Sequence, residues 1–154
     1  MHAMIENGQA KPCLTFWITA LQGHNLTSQI QANPNTVHIM HRIFPVKPLE
    51  NRSLFNILDN AVKYTPAGGQ IRVSVEGWEM YVKINIADTG IGISEQHQGT
   101  IFKRFYREDA VHDVDGIGIG LYLAREIVTL QGGYIWVVSE VGKGSTFSVF
   151  LLRK

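Results

Sequence analysis

The sequence is poor in several features that would fix a protein's role early. It holds one cysteine, Cys13, in 154 residues, so no internal disulfide can brace it. A lone thiol is compatible with a reducing compartment. No long apolar run is present. The most apolar early stretch, Cys13 to Leu21, is nine residues long, whereas a membrane span needs roughly 20. It also lacks the cleavage signal of a secretory leader, so any membrane anchor is expected outside these residues. Charge of one sign is missing too: 14 basic against 13 acidic residues leave a net charge of +1. That balance speaks against a general nucleic-acid binder and against a surface drawn to anionic lipid. No internal repeat is visible.

What is present suits one ordinary domain with a full core, since 45% of the residues are apolar. Glycine is unevenly placed. Ten of the 15 glycines fall between Gly90 and Gly144, in tight groups. Grouped glycines mark places where backbone must approach something closely.

Residues 1 to 48 show no clean periodicity. Thr36 to Phe44 predicts a strand, and Cys13 to Leu21 suits a strand or a short helix. From Leu49 the pattern sharpens. Leu54, Ile57, Leu58, Ala61 and Val62 recur at helical spacing and form one apolar stripe. Thr65 to Gly69 ends that helix. Ile71, Val73 and Val75 alternate with polar residues, as do Val82, Ile84 and Ile86, with Asp88 continuing the second face. Thr89 to Asp115 reads as an irregular segment with a short helical piece around Phe102. Ile119 to Leu130 predicts a helix stopped by Gly132 and Gly133. Tyr134 to Val138 and Thr146 to Leu152 predict two further strands. The pattern is that of an α+β protein, a two-layer α/β sandwich. Its mixed, mostly antiparallel sheet has about five strands and is covered on one face by about three helices.

Three groups of residues carry possible chemistry. On the first helix, Asn56, Asn60 and Lys63 cluster away from the apolar stripe. A carboxamide oxygen is a hard ligand suited to Mg2+, and an ammonium meets phosphate; the plain alternative is a solvated polar face. In Asp88-Thr89-Gly90-Ile91-Gly92-Ile93, a carboxylate at a strand end can accept from an exocyclic amine while glycines let a flat ring lie on the backbone. By itself such a stretch is equally an ordinary turn. Gly116-Ile117-Gly118-Ile119-Gly120-Leu121 runs into a helix, whose exposed N–H groups suit phosphate. A dinucleotide fingerprint is excluded there by the glycine spacing and by the charged loop His112 to Asp115 in place of a strand. Gly142-Lys143-Gly144-Ser145-Thr146 leads into a strand and has the wrong order for a phosphate-binding P-loop.

In order and spacing, these groups resemble the catalytic, ATP-binding (GHKL-type) domain of bacterial sensor histidine kinases, within the wider group that includes gyrase, Hsp90 and MutL. Asn56 to Tyr64 resembles the N box, Asp88 to Gly92 the G1 box, Phe102 to Arg107 the F box and Gly116 to Leu121 the G2 box. Gly142 to Thr146 is similar to the glycine-rich turn before the last strand. The resemblance covers about residues 50 to 154. It implies the Bergerat-type ATP-binding fold, with residues 49–154 as the catalytic domain and 1–48 as an atypical lead-in contributing one or two strands.

The resemblance also implies roles. Asn60 would hold Mg2+, Asn56 would support metal and phosphates, and Lys63 would contact phosphate; these three form the catalytic set. Tyr64 would pack on adenine, Asp88 would accept from its amino group, and Gly92 would lie under the ring. Gly116, Gly118 and Gly120 would wrap the phosphates. Gly90, Ile93, Leu121 and Thr146 complete the nucleotide-binding set. Arg107 to Asp115, polar and ending in glycines, would be a mobile lid over ATP. Phe102 and Phe105 would pack its base or serve as core aromatics, with Phe105 counted among the nucleotide contacts. Arg104 and Arg107 would reach phosphate, a partner or only solvent.

Two departures qualify the match. The family's acceptor histidine lies before the N box and is usually followed by an acidic residue. His2, His24, His38 and His41 are followed by Ala3, Asn25, Ile39 and Arg42. No long helical hairpin precedes residue 49 either. The chain is therefore expected to bind Mg-ATP and to donate the γ-phosphate to a histidine on a separate dimerisation domain, with a response regulator as the indirect partner. It would be a cytoplasmic enzyme module, monomeric in isolation, without nucleic-acid or membrane contact. Asn56 stands where hydrolases of the wider group place a water-activating glutamate, and asparagine is a poor base. Two alternatives stand beside this: an anti-sigma-type serine kinase, and a nucleotide-binding regulatory module without phosphotransfer.

Overall fold

The computed structural model describes residues 27–31, 48–106 and 118–152. Helix α1 spans Pro48–Tyr64; a proline at a first helical position forfeits no intrahelical bond. Its stripe of Leu54, Ile57, Leu58 and Ala61 is buried. The helix stops where the Thr65 hydroxyl donates back to the Ala61 carbonyl at 2.5 Å and Pro66 prevents another turn.

Five strands form one sheet in the order β1-β2-β3-β5-β4. They are β1 (Thr27–Gln31), β2 (Gln70–Gly77), β3 (Tyr81–Asp88), β4 (Tyr134–Glu140) and β5 (Gly144–Leu152). β1 runs parallel to β2, and the other pairs are antiparallel. The sheet is thus mixed and mostly antiparallel, as the sequence pattern implies. Within the lead-in, the described strand is Thr27–Gln31. An edge strand is held by backbone ladder bonds on one side, so a polar stretch with one isoleucine serves. The strands expected at Thr36 to Phe44 and Cys13 to Leu21 lie outside the described residues.

The inner face of the sheet carries Ile71, Val73 and Val75 of β2, Val82, Ile84 and Ile86 of β3, and Phe147, Val149 and Leu151 of β5, all buried. Helix α1 and helix α3 (Gly120–Leu130) pack side by side over that face, α3 through Ala124 and Val128. Full burial of each Leu, Ile or Val side chain stabilises by about 1.5–3 kcal/mol. On the opposite face Tyr134, Trp136 and Val138 are exposed, and Tyr134 stacks on Phe150 at 4.2 Å. A one-sided sheet needs strict alternation in its strands, which is why β2 and β3 are readable from the sequence.

The expected helical piece around Phe102 is shifted. A single turn, α2, occupies Glu95–Gln98 beside β4, bounded by Ser94 and Gly99. Turns then carry Ile101 and Phe102 into the core.

Candidate functional site

Two ends of a site are built on α1. The C-terminal end meets the loop after β3. Asp88 closes β3 on its inner face and is buried. Its Oδ1 accepts from the N–H of Gly90 at 2.8 Å and of Ser145 at 3.2 Å. Burial pushes the Asp88 carboxyl above its ordinary value, and the two N–H donors pull it partly back. The loop is fixed on both sides. Ile91 N–H donates to the Tyr64 carbonyl at 3.1 Å, and Gly142 N–H donates to the Ile91 carbonyl at 2.8 Å. Gly92 has φ +73°, and a Cβ there would run into the Glu140 carbonyl. Gly144 (φ +108°) leaves the same kind of room for the Asp88 carbonyl. These glycines permit three backbone segments to touch.

The other end lies about 12 Å back along α1, the rise of the eight residues from Tyr64 to Asn56. There the first residue of α3 faces Asn56: a Cβ on Gly120 would sit 3.8 Å from Asn56 Cβ. The Asn56 Nδ2 is buried and has no hydrogen-bond partner among the described residues. A buried donor left unmade costs about 1–3 kcal/mol, and native proteins keep few of them. It lies beside the start of α3, whose first N–H groups also seek acceptors. Asn60 is half-buried on the same helix. Lys63 Nζ meets Asp59 Oδ2 at 2.7 Å.

The remaining expected site residues divide. Tyr64 is half-buried and Gly90 buried, both at the Asp88 loop, while Ile93 and Leu121 pack partly buried against the core. Phe102 is buried, but Phe105 is 58% exposed, so only the first is a core aromatic. Phe105 holds an unusual φ of 61°. Its N–H donates to the Gly118 carbonyl at 3.0 Å, and the Arg104 guanidinium lies 4.8 Å over its ring. Arg107, Gly116 and the expected lid lie outside the described residues. Thr146 pairs with Ala87 and Val138 and shares the outer face of β5 with Ser148 and Phe150. Ser145 is the residue on Asp88's face. Parity along β5, counted from buried Phe147, would have found it.

The donor set fits a magnesium nucleotide. One carboxylate backed by glycine-packed loops can read an exocyclic amine, and one unpaired amide beside the start of α3 can meet phosphate. No cluster of three or more His, Cys, Asp or Glu that could hold a metal occurs among the described residues.

Residues 50–154 match the profile of the histidine kinase-, DNA gyrase B- and HSP90-like ATPases. The adaptive-response sensory kinase SasA of Synechococcus sp. (strain JA-2-3B'a(2-13)) is 50% identical over 95 residues, 61% of this chain and 25% of its own length. Drug sensory protein A of Synechocystis sp. is 41% identical over 103 residues, 60% of this chain and 16% of its own. The chain thus spans about a quarter or less of these curated relatives. A mycobacterial sensor histidine kinase, MprB, shares the fold with TM-score 0.69 at 21% identity, covering 91% of each chain. Full-length ShkA, solved in complex with AMPPNP, does so with TM-score 0.70 at 21% identity, covering 90% of this chain and 29% of its own. With 105 of its 154 residues inside the matched span, the chain belongs to the histidine kinase-, DNA gyrase B- and HSP90-like ATPase family.

Proposed function

We propose that residues 49–154 form the catalytic module of a sensor histidine kinase, which binds Mg-ATP and presents its γ-phosphate to a histidine on a separate dimerisation domain. The unpaired Asn56 amide beside the start of α3 carries this reading. It supplies a donor for a phosphate and no base to activate water. Asp88 accepts from the adenine amino group, with Tyr64 and the Gly90–Gly92 backbone bordering the ring. Asn56 and Lys63 meet the phosphates, and Lys63 must leave Asp59 to do so. Asn60 would hold Mg2+, which when bound neutralises phosphate charge and favours in-line transfer. The chain's residues contribute positioning and charge, with no covalent enzyme intermediate. A response regulator is then the indirect partner. No described helix is long and apolar enough to cross a membrane.

The test is titration of the full chain with a fluorescent ATP analogue, with and without Mg2+. It is followed by incubation with γ-labelled ATP and a separately purified acceptor-histidine domain. Saturable, Mg2+-dependent binding and acid-labile label on the acceptor are expected. Binding with label released only as free phosphate would replace the kinase reading by a hydrolase.

A further inference from the structure

A hydrogen-bond relay runs behind the Asp88 pocket, outside every motif that carries the family resemblance except the final turn. Its centre is Ser139 on β4. The Ser139 Oγ accepts from Ile93 N–H at 2.7 Å and lies 2.9 Å from both the Gly144 carbonyl and the Ser145 Oγ. A hydroxyl has one proton and two acceptor lone pairs. The carbonyl of Gly144 can only accept, so the Ser139 proton goes there and Ser145 donates to Ser139. All three bonding positions of the Ser139 hydroxyl are then filled. Ser145 in turn donates its N–H to Asp88 Oδ1. From the other side, Gln98 spends both hydrogens of its Nε2 on carbonyls, Ile93 at 3.1 Å and Ser139 at 2.8 Å. Gln98 sits on α2, so the irregular segment is tied to the β4–β5 hairpin at the point where that hairpin supports Asp88.

We propose that Ser139 and Gln98 are positioning residues. Through Ser145 and the Ile93 backbone, they aim the Asp88 carboxylate at the exocyclic amine of the base and so set the preference for adenine. This rests on the nucleotide-binding reading above. The relay leaves one carboxylate oxygen, Oδ1, holding two backbone donors, while the hydroxyl network fixes where those donors stand. Removing the Ser139 hydroxyl takes a bond at once from Ile93 N–H, the Ser145 hydroxyl and the Gly144 carbonyl.

The experiment compares ATP with ITP, which carries a carbonyl in place of the exocyclic amine, on the full chain by equilibrium binding beside thermal unfolding. The wild type should bind ATP more tightly than ITP. In Ser139→Ala, ATP affinity should fall by about tenfold, the scale of one or two lost hydrogen bonds, while ITP binding stays nearly constant. Ser139→Thr, which keeps the hydroxyl, should restore most of the preference. Gln98→Met lies on a half-exposed single turn and keeps the test usable should Ser139→Ala fail to fold; it should cost ATP about threefold. Equal loss for ATP and ITP, tracking the melting temperature, would overturn the proposal and leave these residues as scaffold. So would an unchanged ATP preference. A folded wild type that binds neither nucleotide would overturn the nucleotide reading itself.

Discussion

The two ends of the site differ in how far they are finished before anything binds. At the Asp88 end the carboxylate holds two N–H donors on Oδ1, the loop is pinned to Tyr64 and Gly142, and three glycines bring backbones into contact. At the Asn56 end an amide lacks a partner, and Lys63, in the last turn of α1, is occupied by Asp59. The base end is built in advance as a rigid socket. The phosphate end holds charge and donors in reserve, so part of its stabilisation arrives only with the ligand.

Breaking the socket should produce the largest effect. Gly92→Ala places a Cβ against the Glu140 carbonyl at a positive φ. It should destabilise the fold by about 3 kcal/mol, read by denaturant unfolding, from left-handed strain plus the backbone clash. Asp88→Asn separates function from stability. It should weaken ATP binding by about ten- to a hundredfold, the scale of a charge-assisted hydrogen bond, while the melting temperature holds or rises, because a buried charge has been removed. The pH dependence has a definite sign. Burial holds the folded carboxyl above its ordinary value, so the native state binds the proton first. Acidification from neutral pH should therefore relieve Asp88's unfavourable contribution to stability and abolish its ATP contact within the same window, and Asp88→Asn should flatten both profiles.

Asn56→Ala probes the unfinished end. It should leave stability unchanged or improved by about 1 kcal/mol, since an unmade donor disappears, yet reduce Mg-ATP affinity in the same preparation. A stability loss there would mean that the amide is already satisfied. The smallest effect belongs to Asp59→Ala. An exposed i,i+4 pair contributes about 0.3–0.5 kcal/mol, so freeing Lys63 should raise ATP affinity by about twofold, measured by titration at low salt.

Much of this was legible in the sequence because the physics was local. The α1 stripe, the β2 and β3 alternation and the Gly132–Gly133 stop each lie within one element, and a one-sided sheet writes its inner face plainly. Asp88 could be read because it continued the β3 face into a glycine pair. What escaped depended on partners distant in the chain. β1 is recognisable only by its pairing with β2. Ser139 and Gln98 act through bonds to residues 46 and 41 positions away, respectively. The place of Ser145 on the face of Asp88 depends on strand parity, which becomes definite only once Phe147 is known to face the core. Phe105, read as packing the lid base or as a core aromatic, is exposed and has a left-handed backbone that its residue type does not announce.

The order in which the chain can assemble follows from one seam. β2 and β3 meet across a three-residue turn, as do β4 and β5, and such hairpins close in microseconds. The β3–β5 pairing joins Ala87 to Thr146 and must first close a loop of some 59 residues, the kind of non-local contact that forms late. Asp88 and Ser145 face each other across that seam. The base socket therefore does not exist in any species holding only the two hairpins. Nucleotide capture should appear with the final cooperative step of folding, and a bound nucleotide should slow hydrogen exchange most at the β3–β5 amides.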